Sequence, residues 1–393
     1  MARAVVRAPT LLPSSGRASI GSYEVVRKLA TGGMGEVYLA KQRGPVAFSR
    51  DVVLKKLHPG YTSNPEFVTM FLNEAQIAAN LAHPNIIHIY ELFEDNGYVI
   101  AMEYVRGGTA LSLLRSHARD GRAVPYGPAL RIAIAVCEAL HYAYTSIGDS
   151  GQPRHVIHRD ISPSNVLIDY EGNVKLADFG VAKALDVNLT RGASIKGKFG
   201  YLSPEQIRCQ PLDQRSDLFS LAIVLWELTV GAPLFKREND VAMMYAVMEE
   251  DIPRPSSRHA DYPLDLEAAI MKALERERDD RYATPLELAS ELRRIARDHG
   301  WDLEAQALAR LVKHELPDDQ VAFGRIGSEE FSGGGPLARS RTTFGAAEEM
   351  RSYPALEVLA EPPAGDKRAV LATTFVMAVL SAIFWIWIVP VLA

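Results

Sequence analysis

The sequence predicts an α+β protein with a small strand-rich part, a larger helical part and a single membrane-crossing helix at its C-terminus. Three observations predict this. Short alternating stretches crowd residues 21–104, helical periodicity dominates residues 105–299, and residues 369–393 form an unbroken apolar run. With 393 residues, 48% hydrophobic and 23% charged, the chain has ordinary globular composition and a substantial core is expected. Its net charge of −5 supplies no basic field for phosphate backbones, so no nucleic-acid partner is expected. The two cysteines, Cys137 and Cys209, are too few for a disulfide framework or a cysteine metal site. They suit a reducing compartment and read as small buried apolar residues.

Residues 1–20 are rich in Arg, Ala, Pro and Ser without a continuous apolar core, so they read as a flexible leader and not a secretory signal. "YEVVRKLA" and "EVYLAKQ" then read as strands flanking a glycine turn, and "DVVLKKL" as a third strand. "NPEFVTMFLNEAQIAANLAH" predicts a helix capped by Asn64, with Pro65 in its first turn and Phe67, Phe71, Ile77 and Leu81 near helical spacing. "YVIAMEYV" closes this block as another strand. Further on, "PALRIAIAVCEALHYAYTSI" repeats apolar residues at three- and four-residue steps. "DLFSLAIVLWELTVG" is apolar nearly all round and should lie inside the helical part.

Residues 300–368 begin with a helical pattern, "DLEAQALARLVKHEL", and drift into Gly-, Pro-, Ser- and Glu-rich sequence that reads as linker. From Ala369 to Ala393 no charge occurs. A helix of that length reaches about 37 Å, against a hydrocarbon core of about 30 Å. Lys367 and Arg368 precede the run, and the positive-inside rule keeps that flank cytoplasmic. The expectation is therefore a single-pass protein of the cell membrane, with everything upstream cytoplasmic and no external sensor. Small residues in the run (Ala372, Ala378, Ser381, Ala382) would suit self-association of two spans.

The chemistry-bearing residues come in order. Leu29, Ala30, Thr31, Gly32, Gly33, Met34, Gly35, Glu36 and Val37 form the glycine turn between two strands. Glycines let backbone N–H groups approach phosphates closely, although a glycine-rich hairpin alone is usually only a turn. The turn departs from G-x-G-x-x-G in having Ala30 at the first glycine position. Lys55 follows in the third strand, sharing a face with Val53, and Glu74 in the following helix could pair with it. "HRDISPSN" at 158–165 and "DFG" at 178–180 complete the set.

With these motifs in this order and spacing, residues 23–299 resemble the protein-kinase superfamily, and most closely the bacterial, eukaryotic-like Ser/Thr kinases, whose loop often reads GGMGEVY. "YLSPEQ" at 201–206 is similar to the family's A-P-E element, with Ser203 for the alanine. The resemblance implies two lobes, about 23–103 and 104–299, with ATP and Mg²⁺ bound between them. It implies that Lys55, oriented by Glu74, holds the α- and β-phosphates, that Asn165 and Asp178 ligate Mg²⁺, and that Asp160 aligns the substrate hydroxyl. Val37, Val53 and Leu167 would sandwich adenine, and Glu103 and Val105 would offer backbone hydrogen bonds after Met102. His158 and Phe179 read as packing residues, and Glu205 with Arg281 as a buried structural ion pair.

Two features bear on activity. Pseudokinases, the alternative class of nucleotide- or partner-binding scaffolds, generally lose Lys, Asp or metal-binding Asp positions that this chain retains. A kinase acting on small molecules fits poorly, because the segment 181–205 is long and resembles a peptide-binding platform. The catalytic loop carries Ser162 where a phosphate-neutralising lysine usually stands. The activation segment carries Lys198 where that lysine's threonine partner is expected, so the two look exchanged. Arg159 precedes Asp160, and Thr190 and Ser194 lie near Arg191, Lys196 and Lys198, so autophosphorylation at either hydroxyl is expected. The expected partners are ATP, protein substrates with Ser/Thr acceptors, and the lipid bilayer.

Overall fold

In the computed structural model, residues 18–32, 35–45, 48–148, 151–179 and 199–316 are described. The N-terminal part is built on a six-stranded antiparallel sheet in the order β1-β2-β3-β4-β6-β5. Its strands are β1 (Ser19–Ile20), β2 (Tyr23–Thr31), β3 (Gly35–Arg43), β4 (Ser49–Leu57), β5 (Ile89–Glu94) and β6 (Tyr98–Glu103). Period-two alternation divides β4 between two cores. Val53 joins Ala30, Val37, Ile100, Met102 and Val105 on one face, while Val52 and Leu54 join Tyr23, Ala40, Val99 and Ala101 on the other. One helix, α1 (Pro65–Ala79), packs beside the sheet. The Asn64 side chain accepts from the Glu66 N–H, Pro65 fills the first turn, and the helix buries Phe67, Phe71 and Glu74 on one face. A carboxylate on the apolar face of a helix needs a partner, and Glu74 has one in the cleft.

The C-terminal part surrounds a three-stranded sheet of β7 (Gly107–Thr109), β8 (Val166–Asp169) and β9 (Val174–Leu176). Its helices are α2 (Ala110–Arg119), α3 (Tyr126–Thr145), the one-turn α4 (Pro204–Ile207), α5 (Gln214–Val230), α6 (Asp240–Glu249), α7 (Leu264–Ala273), α8 (Pro285–Asp298) and α9 (Ala305–Glu315). As the sequence predicts, α5 is buried from Ser216 to Val230 and runs through the middle of the helical core. Asp213 caps its start. Gly231 ends it with φ 76°, where a Cβ would also stand 2.6 Å from the Arg122 carbonyl oxygen.

Four expectations need correction. Cys209, expected to be buried like Cys137, is exposed. The leader does not reach residue 20, because Ser19 and Ile20 pair with Glu24 and Tyr23 and Ile20 is buried. Strand β5 was not anticipated; it is an edge strand whose residues are at most half-buried, so it carries little apolar alternation. The reading of residues from 300 onward as linker fails over 301–316, since Leu308 and Val312 of α9 are fully buried in the main core. Among the described residues no helix is long and apolar enough to cross a membrane, and the apolar run 369–393 lies outside them.

Candidate active site

The cleft between the two parts is lined by what each strand and loop delivers. From β4, Lys55 reaches across the lobes with its Nζ 2.6 Å from Glu74 Oε1 of α1 and 2.9 Å from Asp178 Oδ1. Burial disfavours the ammonium, but the charges of Asp178 and Glu74 outweigh that and hold its pKa above the usual lysine value. Burial raises the Glu74 carboxyl, with Lys55 pulling it back down. One ammonium between two carboxylates is a site prepared for polyanions, because phosphate oxygens can replace a carboxylate as its partner.

The catalytic loop sits below. Asn165 donates from Nδ2 to the Asp160 carbonyl at 2.8 Å and to Asp160 Oδ2 at 3.0 Å, so the amide fixes the carboxylate. This leaves the Asn165 amide oxygen and Asp178 as hard oxygen donors on this side of the cleft, which fits Mg²⁺. Two residues at the site are held in left-handed backbone, Arg159 at φ 67° and Asp178 at φ 57°. Strain of this kind persists only where surroundings enforce it. Asp217 of α5 does so for Arg159, accepting from the N–H groups of His158 (2.7 Å) and Arg159 (2.8 Å). Burial pushes the Asp217 carboxyl up to about 7, against the pull of those two N–H donors. Gln206 adds a bond from Nε2 to the Arg159 carbonyl at 2.9 Å.

The residues expected to face adenine lie close together. Ala30, Val37, Val53, Val105 and Leu167 are buried in one cluster, with Leu29 packed against it. The Glu103 N–H is bonded to the His88 carbonyl at 2.9 Å, so Glu103 can offer a ligand only its carbonyl. Its side chain instead pairs with Lys175 at 3.0 Å. Val105 is 4% exposed, and among the described residues its N–H has no acceptor, which leaves it a donor for a ligand.

In the glycine turn, the Gly32 N–H donates to the Gly35 carbonyl at 2.7 Å, Thr31 is exposed, and Gly33 and Met34 lie outside the described residues. Gly35 has a reason the motif does not suggest: a Cβ there would stand 2.2 Å from the Lys56 carbonyl oxygen of β4. Glu36 is turned to Lys28 and Tyr38 and braces the hairpin.

His158 and Phe179 behave as packing residues. Their rings lie 4.6 Å apart and both are fully buried, with His158 Nε2 3.1 Å from the Ala177 carbonyl oxygen. Arg281 meets Glu205 in a two-point ion pair at 2.8 and 2.9 Å. Ser203, replacing the expected alanine, caps α4: its hydroxyl accepts from the Gln206 N–H and its own N–H donates to the Gln206 side chain. Ser162 is buried, its hydroxyl 2.9 Å from that of Ser164. Its expected partner Lys198 lies outside the described residues, as do Thr190, Arg191, Ser194 and Lys196.

Sequence reasoning missed Asp217, Gln206, and the pair in which the Tyr201 hydroxyl donates to Glu227 at 2.7 Å. The signal was available for two of them: Asp217 and Glu227 are carboxylates within a helix that is otherwise buried and apolar.

A two-part fold with a lysine–carboxylate cluster above an aspartate-bearing loop defines a phosphotransferase. The chain belongs to the protein kinase family: residues 23–292 match the model of the protein kinase domain. That family uses ATP and Mg²⁺.

Relatives include tyrosine-protein kinase MasK of Myxococcus xanthus, 40% identical over 333 residues, which covers 83% of this chain and 50% of MasK. Serine/threonine-protein kinase PknB of Mycolicibacterium smegmatis is 38% identical over 281 residues, 70% of this chain and 43% of PknB. Serine/threonine-protein kinase PrkC of Bacillus subtilis is 34% identical over 282 residues, 71% of this chain and 41% of PrkC. The crystal structure of the Mycobacterium tuberculosis PknI kinase domain superposes with a TM-score of 0.54 at 30% identity, over 72% of this chain and 99% of that domain. The chain spans about half the length, or less, of the curated relatives it matches.

Proposed function

We propose that the chain is a membrane-tethered serine/threonine protein kinase that transfers the γ-phosphoryl group of ATP to Ser and Thr hydroxyls of proteins, its own included. The observation that carries the reading is Lys55 held between Glu74 and Asp178, in the same cleft as an Asp160 fixed by Asn165. Phosphoryl transfer needs alignment and charge neutralisation more than covalent help. Lys55 binds the α- and β-phosphates as a permanent cation. Asp160 accepts a hydrogen bond from the acceptor hydroxyl and orients its oxygen toward the γ-phosphorus. Asn165 and Asp178 would hold Mg²⁺, which when bound would supply positive charge to offset that of the phosphates. Val105 donates to the purine, and Val37, Val53 and Leu167 exclude water from its faces.

Acceptor specificity rests on the catalytic loop, which lacks the arginine-bearing pattern common in tyrosine kinases; PknB and PrkC carry serine/threonine in their names and MasK tyrosine. The tether rests on the uncharged run 369–393 behind Lys367 and Arg368, and self-phosphorylation on Thr190 and Ser194 beside basic residues. The test is incubation of the protein with γ-labelled ATP, Mg²⁺ and a generic protein substrate, followed by phosphoamino-acid analysis. Phosphoserine and phosphothreonine are expected. Phosphotyrosine alone would overturn the specificity, and nucleotide binding without any transfer would make the chain a scaffold.

A further inference from the structure

Residues 301–316 lie beyond the stretch that matches the kinase domain, yet the domain is shaped to receive them. At the near end, Trp301 stacks on Tyr126 and His299, with ring centroids 4.7 and 4.5 Å apart. Arg131 ties the segment down, donating to the Leu303 carbonyl at 2.8 Å and the Gly172 carbonyl at 3.1 Å. Three glycines make room for it. A Cβ at Gly127 would stand 2.4 Å from the Asp302 carbonyl oxygen, one at Gly172 1.9 Å from that of Ala305, and one at Gly108 2.5 Å from the Leu316 Cδ1. Substituting Gly127 or Gly172 would force the segment's backbone to shift, and substituting Gly108 would displace the Leu316 side chain.

The far end of α9 packs against α2, β7 and β8. The Glu315 carboxylate accepts from the Ser116 hydroxyl at 2.7 Å and from Arg122 at 3.0 Å, and lies 3.8 Å from the buried His117 Nε2, all on or just after α2. The Tyr170 hydroxyl, just after β8, donates to the Leu316 carbonyl at 2.9 Å. The Leu316 side chain covers Gly108 of β7, three residues after Val105. Strand β7 is three residues long and pairs with β8, including Thr109 opposite Leu167, the floor of the adenine cluster. So short a strand has little hold of its own.

We infer that α9 is a positioning element for the nucleotide: Glu315 and Leu316 clamp β7 and α2 onto β8 and so set the spacing between Val105 and Leu167. The inference rests on the reading that ATP binds in this cleft. Holding a site in its bound geometry before ligand arrives lowers the ordering cost of binding.

The test uses the full chain with Leu316→Ala, Glu315→Gln and, as a control at the other end of the same segment, Trp301→Ala. ADP affinity is measured by calorimetry, and KM for ATP and kcat on a generic protein substrate, beside thermal melts. Leu316→Ala and Glu315→Gln should raise both the ADP Kd and the ATP KM about three- to tenfold, with kcat within about twofold. Trp301→Ala should lower the melting temperature and leave nucleotide affinity alone. If Leu316→Ala fails to fold, Glu315→Gln decides. Unchanged ADP affinity in the clamp variants, an equal loss in Trp301→Ala, or a fall in kcat without a change in KM would make α9 a stabilising element only. A wild-type chain that binds no ADP would overturn this inference together with the functional reading. A wild type that binds and transfers leaves that reading intact whatever the variants do.

Discussion

Two carboxylates hold the Lys55 ammonium at 2.6 and 2.9 Å, and a third, Asp160, is pinned by Asn165, so the cleft is arranged around charges that phosphates and a divalent cation would balance. Against that background the Ser162 substitution matters. The residue is 2% exposed, its hydroxyl is bonded to that of Ser164, and it carries no charge to offer the transferred group. If the exchange read from the sequence holds, Lys198, immediately before Phe199, would supply that charge. Lys198→Thr should lower turnover by about 100-fold or more, and adding Ser162→Lys should recover most of it. A single variant near wild type, or a double variant as slow as the single, would rule the exchange out.

At this scale the sequence was most informative where ordered motifs name a partner, as with Lys55 and Glu74. It was least informative where the cause is an approach from elsewhere. Gly35 looks like part of a phosphate loop, but the Lys56 carbonyl of the next strand is what its missing Cβ admits.

Among the elements, α1 and α5 were legible because cap, spacing and composition agree: Asn64 and Pro65 for the first, an all-round apolar run for the second. Helix α9 was legible as a helix and misread as linker. The surface that receives it is made of missing side chains at Gly108, Gly127 and Gly172, scattered over distant parts of the chain, and no local pattern announces them.

Its docking is expected to depend on pH. Burial opposes the Glu315 carboxylate, but its bonds from Ser116 and Arg122 and the charge of His117 hold the carboxyl down at about 2, below the ordinary 4.5. A depressed folded-state value gives stability that is complete above 4.5 and is lost as pH falls toward 2. Glu315→Gln should therefore cost about 1–3 kcal/mol at neutral pH. Denaturant melts of the two proteins should converge as the medium is acidified below about pH 4.5. A difference that persists unchanged in acid would mean that the carboxylate is not what holds α9.

For the whole molecule, the described part of the kinase unit runs to Leu316, while the proposed anchor begins at Ala369. Residues 317–368 are rich enough in Gly, Pro and Ser to act as a loose tether. Deleting 369–393 should give a protein that leaves the membrane fraction with kcat and ATP KM unchanged on a soluble substrate. A truncated chain still found with membranes would contradict the tether.

Asp160 is proposed to act on the acceptor hydroxyl in a cleft whose nucleotide is held by other residues. Asp160→Asn measured beside wild type, with ADP affinity by calorimetry and transfer of labelled phosphate to protein in single turnover, tests it most directly. The account predicts nucleotide affinity within about threefold of wild type and transfer slowed by about 100-fold or more. Transfer by Asp160→Asn at close to the wild-type rate would contradict it.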